Sequence, residues 1–159
     1  MDLFITFEGI EGCGKTTQIR MAAAFLKSRG IPAIQTEEPG GTDLGRQIRE
    51  MVLNRKDYAI CAEAELLLFL AARAQHVREV IQPAIDRKTL VLCDRFSDAT
   101  IAYQGFGRGL DIDALTQINA FAAASLKPDK TFLFDLPPEM GLGRAMARIA
   151  QLDGGPKED

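Results

Sequence analysis

Apolar residues recur along the chain with two spacings, which together predict alternating strands and helices. Short runs rich in β-branched and aromatic residues predict buried strands at 3–7, 31–36, 89–93 and 131–136. Apolar residues three and four positions apart predict helices at 15–29, 43–53, 62–85, 112–126 and 140–149. Pro83 is expected to bend the longest of these helices, because proline interrupts the helical hydrogen-bond pattern.

Strands that alternate with helices are typical of right-handed βαβ units, in which helices cover both faces of a parallel sheet. The sequence contains no internal repeat, low-complexity block or linker before residue 153. We therefore predict one α/β domain over residues 1–159, with a doubly wound parallel sheet.

Composition and charge exclude several classes of function. The 159 residues include 19 Lys and Arg against 22 Asp and Glu, a formal charge of −3 that argues against nucleic-acid or polybasic membrane binding. The longest apolar run, 66–72, is far shorter than the ~20 residues that span a bilayer. The three cysteines lack zinc-type spacing, and reduced thiols fit the cytosol. We expect a cytoplasmic protein without nucleic-acid or membrane partners.

A glycine-rich turn follows the first predicted strand. It reads GIEGCGKT and satisfies the phosphate-binding pattern G-x-x-x-x-G-K-[ST] between a strand and a helix. Glycines let main-chain N–H groups turn toward phosphates, and the next helix adds the positive end of its dipole. Lys15 can reach the outer phosphates, and the Thr16 hydroxyl can bind Mg²⁺. The predicted nucleoside triphosphate site consists of Gly9, Ile10, Glu11, Gly12, Cys13, Gly14, Lys15, Thr16 and Thr17.

A phosphate-binding turn alone does not distinguish a switch, a motor and a small kinase. A GTP switch normally carries D-x-x-G and N-K-x-D, and this sequence contains neither pattern. A motor ATPase usually has a larger core and partner arginines, which nothing in the sequence indicates. The remaining interpretation is a small kinase with a second substrate.

Residues 89–109, TLVLCDRFSDATIAYQGFGRG, indicate where that substrate binds. Asp94 lies at the carboxyl end of a buried strand, where ligands bind in open α/β sheets, and can hold Mg²⁺ directly or through water. Arg95 suits an anionic substrate, because a guanidinium group can bind a phosphate through two hydrogen bonds. A structural ion pair between Asp94 and Arg95 is the alternative.

Four segments together resemble bacterial thymidylate kinase, a P-loop nucleoside monophosphate kinase family. They are FEGIEGCGKTT, EPGGT, LLLFLAARAQH and DRFSDATIAYQGFGRG, in the order and spacing of that family, and the resemblance runs from Leu3 to about Arg148. It implies transfer of the ATP γ-phosphate to dTMP, which gives ADP and dTDP for dTTP biosynthesis, with Mg²⁺ as cofactor. It also implies a P-loop NTPase fold with sheet order 2-3-1-4-5, and a homodimer.

The resemblance also implies a dTMP site, in which Arg49 and Arg95 hold the phosphate. Phe69 would stack on thymine, while Arg73 would donate a hydrogen bond to a thymine carbonyl group. The full implied set is Glu11, Glu38, Pro39, Arg49, Phe69, Arg73, Arg95, Thr100, Tyr103 and Gln104.

Other members of this set have implied roles beside the base and sugar. Thr100 and Gln104 would complete the base contacts, and Tyr103 would lie against the sugar, where a ribose 2′-hydroxyl would collide. Glu11 would accept from the 3′-hydroxyl and act near the metal.

The implied mechanism is direct in-line transfer to an oxygen of the dTMP phosphate, which is already ionised and needs no general base. Arg144 would stack near adenine. The implied catalytic residues are Lys15, Arg95, Glu11 and Arg148, the last a lid arginine. The implied metal-binding residues are Thr16 and Asp94.

Spacing supports part of this site independently, and plainer interpretations stay open. Phe69 and Arg73 are four residues apart and share one helix face, which suits a planar base with carbonyl groups. Phe69 can equally pack in the core, and Arg49 can be a solvated helix residue. Arg73 follows seven apolar residues and must be solvated or paired. His76 is expected to be a surface or supporting residue rather than a catalyst.

Two features depart from the family pattern. Glu37 stands where the family often has arginine before EPGGT, and we expect it to face solvent. Family members continue for a few dozen residues beyond GGPKED, with the rest of the lid, a fifth strand and a last helix. We therefore expect a kinase domain incomplete at its C-terminus, in which 144–159 begin the lid and the strand at 131–136 is an uncovered apolar edge.

Two further functions remain as alternatives to a complete thymidylate kinase. One is a kinase for another pyrimidine monophosphate, such as dUMP or dCMP. The other is a nucleotide-binding fragment that does not turn over.

Overall fold

Four parallel strands form the sheet in the computed structural model, which describes residues 3–53 and 58–153. The strands are β1 (Phe4–Gly9), β2 (Ala33–Glu37), β3 (Leu90–Asp94) and β4 (Lys130–Phe134). Their order is β2-β3-β1-β4, and each neighbouring pair is parallel. The predicted parallel sheet and the first four positions of its order are therefore confirmed. Residues 154–159, the end of the expected lid region, lie outside the described residues.

Helices connect the strands and cover the sheet. They are α1 (Lys15–Ser28), α2 (Asp43–Leu53), α3 (Ala62–His76), α4 (Gln82–Asp86), α5 (Ser97–Thr100), α6 (Ile112–Ala122) and α7 (Pro138–Asp153). A π-helical segment, Val77–Ile81, joins α3 to α4 without a break. The widened turn lies directly before α4, where Pro83 has no N–H to continue the usual pattern. The described residues contain no helix long and apolar enough to cross a membrane.

The helices differ from the prediction most clearly in two regions, 97–107 and 122–126, and the last helix is longer than predicted, at Pro138–Asp153. A helix formed by α5 and a second π-helical segment, Ile101–Gly107, was not predicted, because its glycines and polar residues hide the apolar period. Helix α6 ends at Ala122 rather than at residue 126. Ala124 and Ser125 adopt left-handed backbone conformations, with φ of 50° and 59°, which a continuing helix cannot accommodate.

The core lies on both faces of the sheet, as a doubly wound fold requires. On one face, Phe4 and Phe96 pack edge to face with ring centroids 4.9 Å apart, next to residues of the π-helical segment 77–81. On the other face, Phe7 and Leu92 pack against Ile19 of α1. This rigid centre supports the loops at the carboxyl ends of β1 and β3.

Strand β4 forms one edge of the described sheet and exposes apolar side chains. Phe132 is 52% exposed and Leu133 is 71% exposed, although the Phe132 ring approaches Phe7 at 5.5 Å between centroids. Within the described residues β4 pairs with β1 alone. The expected uncovered apolar edge is therefore present, and such an edge can pair with another chain.

We predict that Leu133→Thr lowers the concentration-dependent light scattering of the chain, because it removes exposed apolar surface and introduces a β-branched residue, which suits a strand. Its free energy of unfolding in urea should change by less than about 0.5 kcal/mol. The matched control Leu92→Thr, buried in β3, should lose roughly 3 kcal/mol or more. Wild-type scattering in Leu133→Thr would contradict the prediction.

Candidate active site

Two adjoining cavities open at the carboxyl edge of the sheet, where parallel α/β folds bind their ligands. Their volumes are about 350 Å³ and about 620 Å³. Four residues line both cavities: Glu11, Glu38, Arg49 and Arg95. Because the cavities share this wall, two ligands bound there would meet end to end.

The glycine-rich turn forms the floor of the smaller cavity. Gly12 and Gly14 adopt positive φ angles of 74° and 98°, which let the chain curl before α1 begins at Lys15. The Lys15 side chain is buried, and its ammonium group donates to the carbonyl oxygens of Gly9 and Ile10 at 2.8 Å each. The turn is thus curled around the lysine ammonium at the N-terminus of a helix, the arrangement that binds phosphate.

Thr16 and Asp94 meet beside this turn. The Thr16 hydroxyl donates to the Asp94 carboxylate at 2.9 Å, across 78 residues of sequence. In the described residues, no group of three or more His, Cys, Asp or Glu side chains is placed to hold a metal ion. A hydroxyl and one carboxylate suit Mg²⁺, which keeps several waters and binds phosphate oxygens as well.

Arg95 lies at the junction of the two cavities in an unusual backbone conformation. Its φ is 69°, in the left-handed region that non-glycine residues rarely adopt. Its guanidinium group donates to the Glu11 carboxylate at 2.8 Å and lies 5.1 Å from the centroid of the Tyr103 ring. The guanidinium group of Arg95 therefore lies on the wall that the two cavities share.

Glu8 supports this turn from below and was not singled out in the sequence. Its buried carboxylate accepts a hydrogen bond of 2.7 Å from the main-chain N–H of Phe96, next to Arg95. Burial raises the pKa of Glu8 to about 7; the charge of Asp98 adds to this effect, while the Phe96 hydrogen bond and nearby Arg73 and Arg95 oppose it. Its position as the last polar residue of β1 is the only sequence signal for this role.

Phe69 and Arg73 both line the larger cavity from α3. Phe69 is half-buried at the cavity wall, whereas its neighbours Leu66 and Leu70 belong to the core. Arg73 was expected to be either solvated or paired, and it is buried and paired. Its guanidinium group donates to Glu38, Thr100, Asn119 and the carbonyl oxygen of Phe96.

The same buried network includes His76, which was expected on the surface or in a supporting role. The surface placement is wrong, because His76 is 1% exposed. Its Nδ1 lies 2.9 Å from the Glu38 carboxylate, and its Nε2 lies 2.5 Å from the Thr36 hydroxyl. Its spacing of three residues from Arg73 places both side chains on one helix face.

The wall of the larger cavity also carries polar side chains from the helix over residues 97–107, together with two polar residues that were not predicted. Thr100, Tyr103 and Gln104 line the cavity from α5 and the π-helical segment after it, as residues of one helix face. Glu65 and Arg108, which were not predicted, line the cavity beside them. Glu65 accepts hydrogen bonds from both Gln104 and Arg108.

Arginines from α2 and α7 complete the site. Arg144 and Arg148 line the smaller cavity, and an Arg148 nitrogen lies 3.9 Å from the Glu11 carboxylate. Arg49 donates to the carbonyl oxygen of Pro39 at 2.7 Å. Glu37 is 58% exposed, but it does not face solvent alone, because it also lines the smaller cavity and its carboxylate lies 3.7 Å from Arg49.

Nearly every predicted site residue lines one of the two cavities. The exceptions are Gly9, Ile10 and Cys13. The first two hold the Lys15 ammonium group through their carbonyl oxygens, and the Cys13 sulfur lies 3.5 Å from the same nitrogen. These three residues therefore contact Lys15 rather than the cavities.

Comparison with known proteins gives one consistent result. A family model described as thymidylate kinase matches residues 7–157. The chain is 58% identical to a thymidylate kinase of Syntrophus aciditrophicus, with 100% of this chain and 73% of the relative covered. It is 53% identical to a thymidylate kinase of Geotalea daltonii, with 100% and 74% covered. A crystal structure of thymidylate kinase from Ehrlichia chaffeensis superimposes with a TM-score of 0.79 at 38% identity, covering 95% of this chain and 87% of that one.

We predict that Glu8→Gln stabilises the chain at high pH. Because the pKa of Glu8 is about 7 in the folded chain against an ordinary 4.5, stability from this group is fully present below pH 4.5 and is lost as pH rises through 7. The glutamine keeps an oxygen for the Phe96 N–H and cannot ionise. The free energy of unfolding in urea should exceed that of the wild type by about 1–3 kcal/mol at pH 8 and by little at pH 4.5.

The exposed residue Glu63 on α3 provides the control for this measurement. Glu63→Gln should stay within about 0.5 kcal/mol of the wild type at both pH values. An equal effect of Glu8→Gln at pH 4.5 and pH 8 would show that the Glu8 carboxylate does not titrate as inferred.

Proposed function

Because the chain belongs to the thymidylate kinase family, we propose that the smaller cavity binds ATP and the larger one binds dTMP. The reaction is transfer of the γ-phosphate of ATP to dTMP, which gives ADP and dTDP. The observation that carries the assignment of the cavities is their shared wall. Arg95 and Glu11 stand there between the glycine-rich turn and the aromatic ring of Phe69.

On the ATP side, main-chain N–H groups of residues 9–17 and the N-terminus of α1 bind the phosphates. The Lys15 ammonium group, held beside the turn, moves from its carbonyl partners to the outer phosphate oxygens. Arg144 on α7 contacts the adenine side of the nucleotide. The position of this arginine on the wall of the smaller cavity supports its role.

Thr16 and Asp94 are the residues that would hold Mg²⁺, which supplies positive charge to the phosphate chain when bound. Their contact of 2.9 Å supports this assignment. The contact joins two elements, because the hydroxyl belongs to the first turn of α1 and the carboxylate to the last residue of β3.

On the dTMP side, Phe69 stacks on the base, and Arg49 and Arg95 bind the phosphate. Tyr103 lies under the Arg95 cation and contacts the sugar, while Glu11 accepts from the 3′-hydroxyl. Glu38 and Pro39 form the opposing wall. Arg49 and Arg95 line both cavities, which supports their role at the end of dTMP that faces ATP.

Arg73, Thr100 and Gln104 read the edge of the base. The Arg73 guanidinium group donates one hydrogen from Nε, two from Nη1 and one from Nη2 to protein acceptors. One Nη2 hydrogen therefore remains for a thymine carbonyl group. A cation held this firmly can donate without first losing side-chain freedom, which favours binding.

Transfer proceeds by direct attack of a dTMP phosphate oxygen on the γ-phosphate. The chain supplies position and positive charge through Lys15, Arg95 and Arg148, and no general base is needed because the attacking oxygen is already ionised. Arg148 lies 3.9 Å from Glu11 on the shared wall, which supports its place near the transferred group.

We further propose that the enzyme is cytoplasmic and acts as a homodimer through the outer faces of α3 and α6. Leu67 on α3 is 61% exposed, and Phe121 on α6 is 88% exposed. These two helices pack together through Leu66, Leu70 and Leu115, so their outer faces adjoin. Exposed apolar side chains that adjoin one another can form the kind of contiguous patch that marks a protein interface. Cys13, Cys61 and Cys93 are free, which fits a reducing compartment.

The proposal is tested by ADP release from ATP with dTMP, dUMP or dCMP as acceptor. We expect turnover that depends on the acceptor and is highest with dTMP. Arg95→Ala should lower kcat/KM for dTMP about 100-fold or more, because it removes a charge-assisted phosphate contact. The exposed residue Arg87 provides the control, and Arg87→Ala should match the wild type.

The outcomes separate the alternatives. Turnover highest with dCMP or dUMP would identify a different monophosphate kinase. Tight dTMP binding without acceptor-dependent ADP release would identify a binding fragment.

Arg148→Ala tests the role of the lid arginine separately. We expect kcat to fall about 100-fold or more, because this cation is placed to stabilise charge in the transition state. The dissociation constant for dTMP, from calorimetry, should stay within about threefold of the wild type. A change confined to dTMP affinity would show that Arg148 binds substrate and does not act in transfer.

A further inference from the structure

The orientation of the Gln104 side chain determines what the larger cavity presents to a base. A glutamine amide has an acceptor oxygen and a donor NH₂ group of almost equal size, so its partners decide which one faces a ligand. Gln104 is buried and lines the cavity. The neighbour that holds this amide therefore controls the hydrogen-bonding character of the wall.

Glu65 is that neighbour, and it can only accept. Its Oε1 receives the Gln104 NH₂ group at 2.9 Å, and its carboxylate also receives Arg108 at 3.3 Å and 2.5 Å. Burial favours a raised pKa for Glu65, but the hydrogen bonds from Arg108 and Gln104 and the Arg108 charge outweigh it and lower the pKa. An ionised carboxylate offers no proton, so Gln104 must turn its NH₂ group toward Glu65.

The Gln104 carbonyl oxygen then faces the cavity. This oxygen has no hydrogen-bond partner among residues 3–53 and 58–153, yet no fully buried side-chain nitrogen or oxygen there lacks one. The Gln104 oxygen must therefore be reachable from the cavity that the residue lines. It presents an acceptor to whatever base binds there.

Thr100 presents the complementary group one helical turn away. Its hydroxyl oxygen accepts from Arg73 at 3.0 Å, so its own proton is directed away from Arg73 and can be donated. The wall thus offers a donor at Thr100 beside an acceptor at Gln104. Thymine and uracil carry the matching pattern, a carbonyl oxygen beside N3–H, whereas cytosine carries an amino group beside an unprotonated N3.

We propose that Glu65, supported by Arg108, is a positioning residue that locks the Gln104 amide and so selects pyrimidines with a proton on N3. The inference rests on the proposed function, in which the larger cavity binds the base. Glu65 acts through Gln104 and does not touch the substrate. Cytosine is rejected because two acceptors, the Gln104 oxygen and the base N3, would face each other.

Calorimetric binding of dTMP, dUMP and dCMP to the full chain tests this inference without requiring turnover. The wild type should prefer dTMP over dCMP by about 100-fold or more. Glu65→Met should reduce that preference about tenfold or more, because the amide can then turn over. The preference for dTMP over dUMP should stay within about threefold, because both bases carry the same N3–H.

Three further variants connect the effect to the amide. Glu65→Gln keeps an oxygen acceptor for the Gln104 NH₂ group and should retain the wild-type dTMP-to-dCMP preference within about threefold. Gln104→Met should lose the preference, and adding Glu65→Met should change the ratio no further, because coupled residues are not additive. Glu63→Met, on the exposed side of α3, should behave as the wild type.

Each outcome decides the question. A folded Glu65→Met variant with the wild-type preference, or with equal losses for all three nucleotides, would overturn the inference and leave the proposed function intact. A wild-type chain without affinity for dTMP would overturn both. If thermal melting shows that Glu65→Met does not fold, the smaller change Glu65→Ala replaces it, since it likewise removes the acceptor that holds the Gln104 NH₂ group. In that variant an unchanged dTMP-to-dCMP preference would count against the inference, and a fall of about threefold or more would support it.

Discussion

One buried cation, the guanidinium group of Arg73, joins the elements that surround the larger cavity. It binds the end of β2 through Glu38, helix α5 through Thr100 and helix α6 through Asn119. A buried charge is tolerated only when its partners are all in place, because an unpaired one loses its hydration without compensation. The cavity walls therefore keep their relative positions for as long as this group stays paired.

The two cavities divide the chemical work according to the groups that line them. The smaller cavity is built from main-chain groups of a glycine-rich turn, which suit phosphates of any nucleotide. The larger one is built from side chains that come from three helices and from the loops after β1, β2 and β3, and such a wall can distinguish one base from another. Arg95 and Glu11 belong to both walls. The reacting phosphates would therefore meet where the smaller cavity, which suits any nucleotide, adjoins the larger cavity, which can select a base.

Local patterns in the sequence predicted much of this architecture. The strand–turn–helix pattern around Lys15 depends on neighbours in the chain, and most of the site residues that the family resemblance implied line one of the two cavities. The roles of Glu8, Glu65 and Asn119 could not be predicted in the same way. Their partners lie 88, 39 and 46 residues away, at Phe96, Gln104 and Arg73. The helix over residues 97–107 was missed because its glycines and polar residues hide the apolar period, which its widened turns also shift.

At position 95, the residue type that the left-handed backbone favours differs from the residue type that phosphate binding requires. Glycine adopts φ of 69° without strain, so the peptide geometry alone would favour a residue with no side chain. Replacing Arg95 with glycine would relieve the backbone strain and so raise stability. The same replacement would remove the cation between the two nucleotides. The arginine is thus a place where thermal resistance and phosphate chemistry cannot both be maximised.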